Sequence, residues 1–218
     1  MARVIVFGTT DTAQLAEYYL RTDSPHEVVA FTVDGAYRDR DEFLGRPVVP
    51  FEDLVGSHSP DDFRLFTPMV ALQMNKVRQR VYQSGRDKGF RFVNYISSRA
   101  TVLTEDIGEN NFILEDNTIQ PFQSIGDNNV LWSGNHIGHH GRIGNHVLFT
   151  SHVVLSGHCD VGDNCFLGVN STIRDGIRLG EGTLVAMGAS ILKDTDPWTA
   201  WIGNPARKHE KSSLELYR

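Results

Sequence analysis

The sequence predicts an N-terminal α/β domain followed by a parallel β-helix. Strands and helices alternate over residues 3 to 98, and large apolar residues then recur at every sixth position for more than eighty residues. A helix would repeat at about 3.6 residues and an ordinary strand at about two, so neither explains a period of six. The fifteen periodic residues are Ile107, Ile113, Ile119, Ile125, Leu131, Ile137, Ile143, Phe149, Leu155, Val161, Leu167, Ile173, Leu179, Val185 and Ile191.

A second period predicts how many strands form one coil. Every third unit opens with an apolar residue followed by glycine, at Ile107-Gly108, Ile125-Gly126, Ile143-Gly144, Val161-Gly162 and Leu179-Gly180. Three units in each coil give a prism with three flat faces and five coils in its central part. Residues eighteen apart then lie one above the other, about 4.8 Å apart.

The corners of the prism are predicted three residues after each periodic position. Gly, Asn, Asp and His tolerate the positive φ that a tight corner needs, and they hold all of these positions except Phe122. The predicted corners are Asn110, Asp116, Asn128, Gly134, His140, His146, His152, His158, Asn164, Asn170, Gly176, Gly182, Gly188 and Asp194.

The residues before the repeat predict a small doubly wound sheet. The expected strands are Val4–Phe7, Val28–Val33, Pro47–Pro50, Arg64–Thr67 and Phe90–Asn94, and the expected helices are Ala13–Arg21 and Asn75–Lys88. Ligands bind such sheets beyond the carboxyl ends of the strands, over the N-terminus of the first helix. Gly8, Thr9, Thr10 and Asp34 are therefore candidates for a nucleotide site.

The loop after the first strand allows a plainer interpretation. Gly8 is its only glycine, so the G-x-G-x-x-G fingerprint is absent and a redox cofactor is not expected. A simple strand-to-helix turn, with Asp11 or Thr12 capping the helix, is an equal alternative to a nucleotide site.

Composition excludes several classes of protein. A formal charge of −6 and a pI near 5.8 argue against a nucleic-acid-binding protein, which would present a basic face. Cys159 and Cys165 each follow a periodic residue by four places, so we expect small core side chains rather than a disulfide. The chain has no signal-peptide pattern and no run of about twenty apolar residues, and we expect a soluble, cytoplasmic protein.

Six of the nine histidines crowd into one coil and a half: His136, His139, His140, His146, His152 and His158. Four of them occupy corners, where tolerance of positive φ alone can explain a histidine. His139 lies one place before a corner, at a position that is acidic or Asn in most other units and that we expect to point outward. Such a cluster allows two kinds of chemistry, acid–base catalysis and metal binding.

Two motifs carry a resemblance to known proteins: Cys165-Phe166-Leu167-Gly168-Val169-Asn170 within the repeat and Ile202-Gly203-Asn204-Pro205-Ala206-Arg207 at its end. The repeat resembles the left-handed β-helix acyltransferases of the hexapeptide superfamily. The whole chain resembles the bacterial sialic-acid O-acetyltransferase and nucleotide-aminosugar N-acetyltransferase family. That resemblance implies a Rossmann-like nucleotide-sugar-binding domain at 1–98, a left-handed β-helix with a C-terminal tail at 99–218, and a homotrimer.

The resemblance also assigns roles to residues. In the family the catalytic histidine precedes an Ile-Gly of the coil by four residues, which implies His139 as the general base. Gly157, Val169 and Met187 would contact coenzyme A in a groove between two subunits, and the Gly157 amide would stabilise the oxyanion. His158, one coil further along, is placed to contact the substrate.

The chain departs from the family at two places beside the histidine. The family usually has Asp or Glu directly after the base, whereas this chain has His140, a further catalytic candidate that brings no negative charge as a neutral imidazole. A histidine that often contacts the acyl donor in the family corresponds to Leu148 here.

The resemblance implies acetyl transfer from acetyl-CoA to the amino group of a nucleotide-linked amino sugar for a surface polysaccharide, without a metal. O-acetylation, or transfer of another acyl group, is the first alternative. A zinc enzyme resembling γ-class carbonic anhydrases, which place three histidines at a subunit interface, is the second. A non-catalytic scaffold is the third.

Overall fold

The computed structural model describes residues 1–69 and 72–216, and its N-terminal part is an α/β unit. The elements are β1 (Arg3–Phe7), α1 (Asp11–Thr22), β2 (Glu27–Val33), β3 (Glu42–Phe43), β4 (Arg46–Pro50), α2 (Leu54–Ser57), β5 (Phe63–Phe66), α3 (Lys76–Asp87) and β6 (Arg91–Phe92). They form a six-stranded sheet in the order β3-β4-β2-β1-β5-β6, parallel except for the β3–β4 hairpin. The predicted strands and helices all occur, with ends within two residues of those expected, and the sequence prediction missed β3 and α2.

The rest of the chain winds into a three-sided parallel coil of two-residue strands. They are β7 (Tyr95–Ile96), β8 (Thr101–Val102), β9 (Phe112–Ile113), β10 (Thr118–Ile119), β11 (Ser124–Ile125), β12 (Val130–Leu131), β13 (His136–Ile137), β14 (Arg142–Ile143), β15 (Leu148–Phe149), β16 (Val154–Leu155), β17 (Asp160–Val161), β18 (Phe166–Leu167), β19 (Thr172–Ile173), β20 (Arg178–Leu179), β21 (Leu184–Val185) and β22 (Ser190–Ile191). Strands β23 (Thr199–Ile202) and β24 (Arg207–Ser212) and helix α4 (Ser213–Leu216) close the coil.

Three sheets form the faces of the coil. Their strand orders are β7-β9-β12-β15-β18-β21-β23-β24, β8-β10-β13-β16-β19-β22 and β11-β14-β17-β20. From β9 to β22 the partners lie eighteen residues apart, as in Leu131 against Phe149, so the predicted superperiod is confirmed. This stack of parallel strands fits the β-helix acyltransferases that the sequence resembles.

The interior of the coil holds the periodic residues and a ladder of buried asparagines. The periodic side chains pack into one continuous core from Ile113 to Ile191. Asn111 accepts a hydrogen bond from the amide of Asn129 at 3.0 Å, and Asn129 accepts one from the amide of Val147 at 2.7 Å. These side chains satisfy corner amides that would otherwise be buried without a partner.

The corners follow the prediction with two differences. Phe122 has φ 63°, although a phenylalanine side chain disfavours that conformation. The residue is 72% exposed, and its ring lies beside the His140 ring, with the two centroids 4.5 Å apart. Asp194 was predicted as a corner, but its φ is not positive. The last coil is two residues shorter than the others, because Leu179 pairs with Thr195, and Trp198 takes the positive φ of 56°.

The α/β unit covers the outer side of the sheet that begins at β7, which we call the covered face. Phe112, Val130 and Leu148 on this face share one buried cluster with Val4 and Phe31 of the α/β unit. Helix α3 also contacts the coil, since Arg78 donates hydrogen bonds to the carbonyl oxygens of several residues. Its acceptors are Met69 at 2.9 Å, Asn128 at 3.1 Å, His146 at 2.7 Å and Val147 at 3.1 Å.

Both cysteines lie in the core of the coil. Cys159 and Cys165 are buried and free, as expected, and burial raises the pKa of the Cys165 thiol to about 12. Within residues 1–69 and 72–216, no helix is both long enough and apolar enough to cross a membrane.

Candidate active site

Three imidazole rings meet at one corner of the coil, those of His139, His140 and His158. The His139 ring lies edge-on to both others, with centroids 5.1 Å apart in each pair, while the His140 and His158 rings stack at 5.4 Å. The Nδ1 atoms of His139 and His140 are 3.1 Å apart. All three side chains are exposed to solvent. The corner formed by Phe122, His140, His158 and Gly176 is called the histidine edge below.

Gly157 and Asp175 complete the surroundings of His139. The three residues are eighteen apart, so they lie in one column, with the glycine between the imidazole and the carboxylate. A methyl group at Gly157 would be 2.8 Å from Cε1 of His139 and 3.0 Å from Oδ1 of Asp175. The missing side chain therefore lets both neighbours lean over the Gly157 backbone. Among the described residues the amide N–H of Gly157, which is itself buried, has no hydrogen-bond acceptor.

The predicted coenzyme-binding residues do not all come together in one chain. Gly157 lies at the histidine edge, whereas Val169 and Met187 precede corners between the covered face and the next sheet. Val169 is 39% and Met187 is 78% exposed, so both are available for contact. Leu148 is buried against the α/β unit and is closed to any ligand. Gly157 and Met187 therefore lie on different edges of the prism in one chain.

The predicted nucleotide residues line a cavity in the α/β unit. The cavity is about 690 Å³, and Gly8, Thr9, Thr10 and Asp34 all contribute to its wall. It opens beyond the carboxyl ends of β1 and β2, as expected for such a sheet. His158, the other predicted substrate residue, lies in the histidine cluster instead.

Helix α1 presents free amides to this cavity. Thr10 is its N-terminal cap and makes no side-chain capping bond, so the predicted capping by Asp11 or Thr12 is wrong, whereas the choice between a simple turn and a nucleotide site stays a prediction. The first amides of a helix attract anions. Arg80, which the sequence analysis missed, also lines the cavity, and its Nη2 donates to Asp34 Oδ2 at 2.8 Å. The cavity thus combines free amides, a cation and a carboxylate, a set suited to phosphates and ribose hydroxyls.

The corner histidines differ in their surroundings. His146 is buried, its Nδ1 lies 2.7 Å from Nδ2 of Asn128, and its carbonyl accepts from Arg78. Burial and the adjacent Arg78 charge lower the pKa of His146 to about 4. His146 is therefore a neutral structural residue. His152 is exposed, on a different edge from His139.

Comparisons with known proteins agree with the repeat and with the whole architecture. The family model described as the hexapeptide repeat of succinyl-transferase matches residues 160–193. No curated protein sequence matches the chain. A histidine-to-asparagine variant of perosamine N-acetyltransferase from Caulobacter crescentus, bound to CoA and GDP-perosamine, superimposes with a TM-score of 0.85 at 26% identity, covering 97% of this chain and 98% of that chain. The chain therefore carries a hexapeptide repeat and is similar over almost its whole length to a sugar N-acetyltransferase.

More distant structures share the fold. The acetyltransferase domain of PglB from Neisseria gonorrhoeae gives a TM-score of 0.82 at 19% identity, covering 96% of this chain and all of that domain. WeeI from Acinetobacter baumannii gives 0.80 at 20% identity with the same coverage.

The His139 side chain is exposed, as predicted, and the carboxylate of Asp175, which the sequence analysis missed, lies in the same column. The resemblance predicts an acidic residue directly after the base, but this chain has His140 at that position. The column spacing of eighteen was the signal that could have found Asp175, because it lies two coils from His139 across a glycine.

Proposed function

We propose that the protein transfers the acetyl group of acetyl-CoA to the amino group of a nucleotide-linked amino sugar, with His139 as the general base. The observation that carries this proposal is the match over almost the whole of both chains to an enzyme bound to CoA and GDP-perosamine. A second structure of that enzyme, also with CoA and GDP-perosamine, matches at 25% identity with a TM-score of 0.82.

His139 has the position and the chemistry of the base. The sugar nitrogen attacks the thioester carbonyl carbon, a C–N bond forms, and His139 accepts the proton that the nitrogen loses. When the tetrahedral intermediate collapses, the C–S bond breaks and the imidazolium returns the proton to the departing thiolate. A positioned imidazole contributes about 10²–10⁴-fold to such a reaction.

Gly157 and Asp175 support the same step. The Gly157 N–H is free to donate to the oxyanion of the intermediate, and removing one such donor typically costs about 10²–10³-fold in kcat. We assign to Asp175 the place of the acidic neighbour that the family has after its base, because it lies in the same column as His139, across Gly157. His140 and His158 form the remaining walls around His139, and His158 faces the incoming substrate.

The cavity of the α/β unit is the site for the nucleotide. We assign residues 1–98 as a Rossmann-like nucleotide-sugar-binding domain, with the phosphates at the α1 N-terminus and Arg80. Asp34 accepts from a ribose hydroxyl. Residues 99–218 then form the left-handed β-helix and its tail.

The positions of the two sites support a homotrimer. The histidine edge lies between the two sheets that the α/β unit leaves uncovered, on the opposite side of the prism from the covered face. A sugar whose nucleotide occupies the cavity therefore meets the histidine edge of a neighbouring subunit. The same arrangement lets Gly157 of one subunit and Val169 and Met187 of another contact one molecule of coenzyme A.

The proposal is tested by incubating the protein with acetyl-CoA and a panel of nucleotide-linked amino sugars, GDP-perosamine among them. We expect thiol release with at least one sugar and an N-acetylated product by mass spectrometry. Acetylation of a hydroxyl group, or no thiol release with any sugar, contradicts the proposal.

His139→Ala is expected to lower kcat at least about tenfold while the dissociation constant for coenzyme A stays near the wild-type value, because only the proton acceptor is lost. Isothermal titration gives the second quantity. His58→Ala, a histidine of the α/β unit that does not line the cavity, is the control and should retain activity. Unchanged turnover in His139→Ala would remove this residue as the base.

A further inference from the structure

The histidine edge has the composition of a metal site as well as that of an acid–base site. One ring nitrogen from each of His139, His140 and His158 lies within 4.8 Å of the other two. The three side chains come from one chain and are all exposed, so an ion can reach them from solvent without a change in the fold.

The spacing is close to that of a zinc site. Zinc binds imidazole nitrogens at about 2.0–2.1 Å in tetrahedral geometry, which puts neighbouring ligand nitrogens about 3.3 Å apart. The Nδ1 atoms of His139 and His140 are already 3.1 Å apart. One ring nitrogen of His158 lies within 4.8 Å of a nitrogen of each of the other two, at most about 1.5 Å more than the zinc geometry needs. Three protein ligands and one open position are the usual set in an accessible zinc site.

The backbone holds the ligands in this arrangement before any ion binds. The φ values of His140 and His158 are fixed at 52° and 57° by their corners. The amide of His158 donates to the His139 carbonyl oxygen at 2.8 Å. Phe122 packs on one side of the His140 ring and limits its rotation. Little conformational freedom is therefore lost when the three rings share an ion.

We propose that His139, His140 and His158 of one chain bind a zinc ion, and that the bound ion inhibits acetyl transfer. The ion binds the lone pair with which His139 accepts the substrate proton. His139 therefore cannot bind zinc and act as the general base at the same time. Zinc is here an inhibitor that competes with catalysis and takes no part in the reaction. The inhibitory half of this inference rests on the function proposed above, whereas the binding half does not.

The test uses the untagged full-length protein, stripped with EDTA and desalted, and titrated with zinc against a chromophoric chelator. We expect one zinc ion per chain. His158→Asn should weaken binding at least about tenfold, since it removes a ligand while asparagine keeps the corner conformation. His152→Asn, at an exposed corner of φ 60° outside the cluster, is the matched control and should bind as tightly as the wild type.

A second readout follows His139 without any sugar substrate. Diethylpyrocarbonate modifies neutral imidazoles, and mass spectrometry reports the modification of His139 alone. Zinc should slow that modification at least about tenfold in the wild type and the His152→Asn variant, but not in His158→Asn.

Each outcome decides a separate claim. Failure to bind zinc, equal binding by His158→Asn, or unprotected His139 overturns the metal site, whatever the enzyme assay shows. Zinc binding at these residues without acetylation of any sugar supports the site and contradicts the proposed function. Where sugar acetylation is measured, zinc must inhibit it reversibly with EDTA, and unaffected turnover at saturating zinc overturns the inhibition.

Discussion

Gly157 leaves room for the His139 ring because it has no side chain. Its φ is not in the left-handed region, so an alanine would fit the backbone and act only through its methyl group. That group would contact the imidazole at 2.8 Å and displace it. Small misplacements of a catalytic group cost up to about 100-fold in rate.

We therefore expect Gly157→Ala to lower kcat at least about tenfold with little change in the melting temperature. Steady-state kinetics and thermal unfolding measure the two effects. Gly56→Ala is the control, because no atom lies within 4 Å of the methyl group that it adds. Full activity in Gly157→Ala would show that the ring position is not critical.

His146 makes stability depend on pH. Its pKa is lowered to about 4 in the folded protein, whereas an unfolded histidine titrates near 6.5. Between these values the unfolded chain binds the proton and the folded chain does not, so stability is complete above about pH 6.5 and is lost as the pH falls toward 4. At pH 5 the loss is roughly 2 kcal/mol.

His146→Asn should remove this contribution, because asparagine is the native residue at the equivalent corners Asn128 and Asn164. The difference in unfolding free energy between pH 7 and pH 5, measured with urea, should shrink by roughly 2 kcal/mol. The exposed corner variant His152→Asn should leave that difference unchanged. An equal pH dependence in wild type and His146→Asn would contradict a neutral, buried imidazole.

For single residues, the sequence predicted which side chains lie inside or outside the coil better than it predicted which outer side chains are buried by the α/β unit. The period of six placed His139 outside the core, because one residue of each unit is fixed inside. It could not separate His146 from His152, since both are corner histidines and only the α/β unit, which covers one face, distinguishes them. Leu148 is buried by the same unit.

Among the elements, helix α3 fastens the α/β unit to the coil through Arg78. The guanidinium is completely buried, and it faces four carbonyl oxygens rather than a carboxylate. Burial lowers the pKa of Arg78 to about 9, which leaves it charged at neutral pH. Its hydrogen bonds to Asn128, His146 and Val147 replace the water that these carbonyls lose at the junction.

Arg78→Leu should lower the unfolding free energy by at least about 3 kcal/mol, because several buried carbonyl oxygens lose their donor. Urea denaturation measures the loss. Gln83→Leu, an exposed position on the same helix, is the control and should change stability by less than about 0.5 kcal/mol. A loss of similar size in both variants would mean that α3 is sensitive to any substitution.

The elements of the α/β unit were predictable because their apolar runs are bounded by turn residues. The role of Arg78 was not, because an arginine on a polar helix is usually exposed, and only the approach of another element reveals its acceptors. The short hairpin strand β3 carries too few apolar residues to be recognised.

For the whole molecule, the main consequence of the fold is the separation of the two sites. The nucleotide cavity and the histidine edge lie on different sides of the prism, so the proposed function requires residues of two chains at each active site. Two inactive variants with defects in different sites should then complement each other in mixed oligomers.

We expect His139→Ala and Thr9→Trp, which fills the cavity, each to be inactive alone. After the two are mixed by refolding, about a quarter of the sites should combine an intact cavity with an intact histidine, and activity should recover to that extent. Mixing each variant with itself is the control. A site built within one chain would give no recovery, because every chain would carry one of the two defects.

The architecture as a whole was the easiest level to predict, because a single period of six determines the faces, the stacking and the core. Handedness came only from the resemblance, since parallel connections are normally right-handed. The end of the coil could not be predicted. Asp194 continues the pattern in the sequence, yet it does not form a corner, and the next corner of the shortened last coil is Trp198, which lies over Gly182.

The way the coil ends also bears on aggregation. A stack of parallel strands leaves a row of unpaired peptide groups at its last strand, which another copy could extend into a fibre. Here β24 runs antiparallel to β23 and forms the outermost strand, with Arg207, Lys208 and Lys211 along it. Lys208 is paired with Asp196 at 3.0 Å, and the positive charges of Arg207 and Lys211 repel an identical strand, so they oppose the pairing of this sheet edge with another copy.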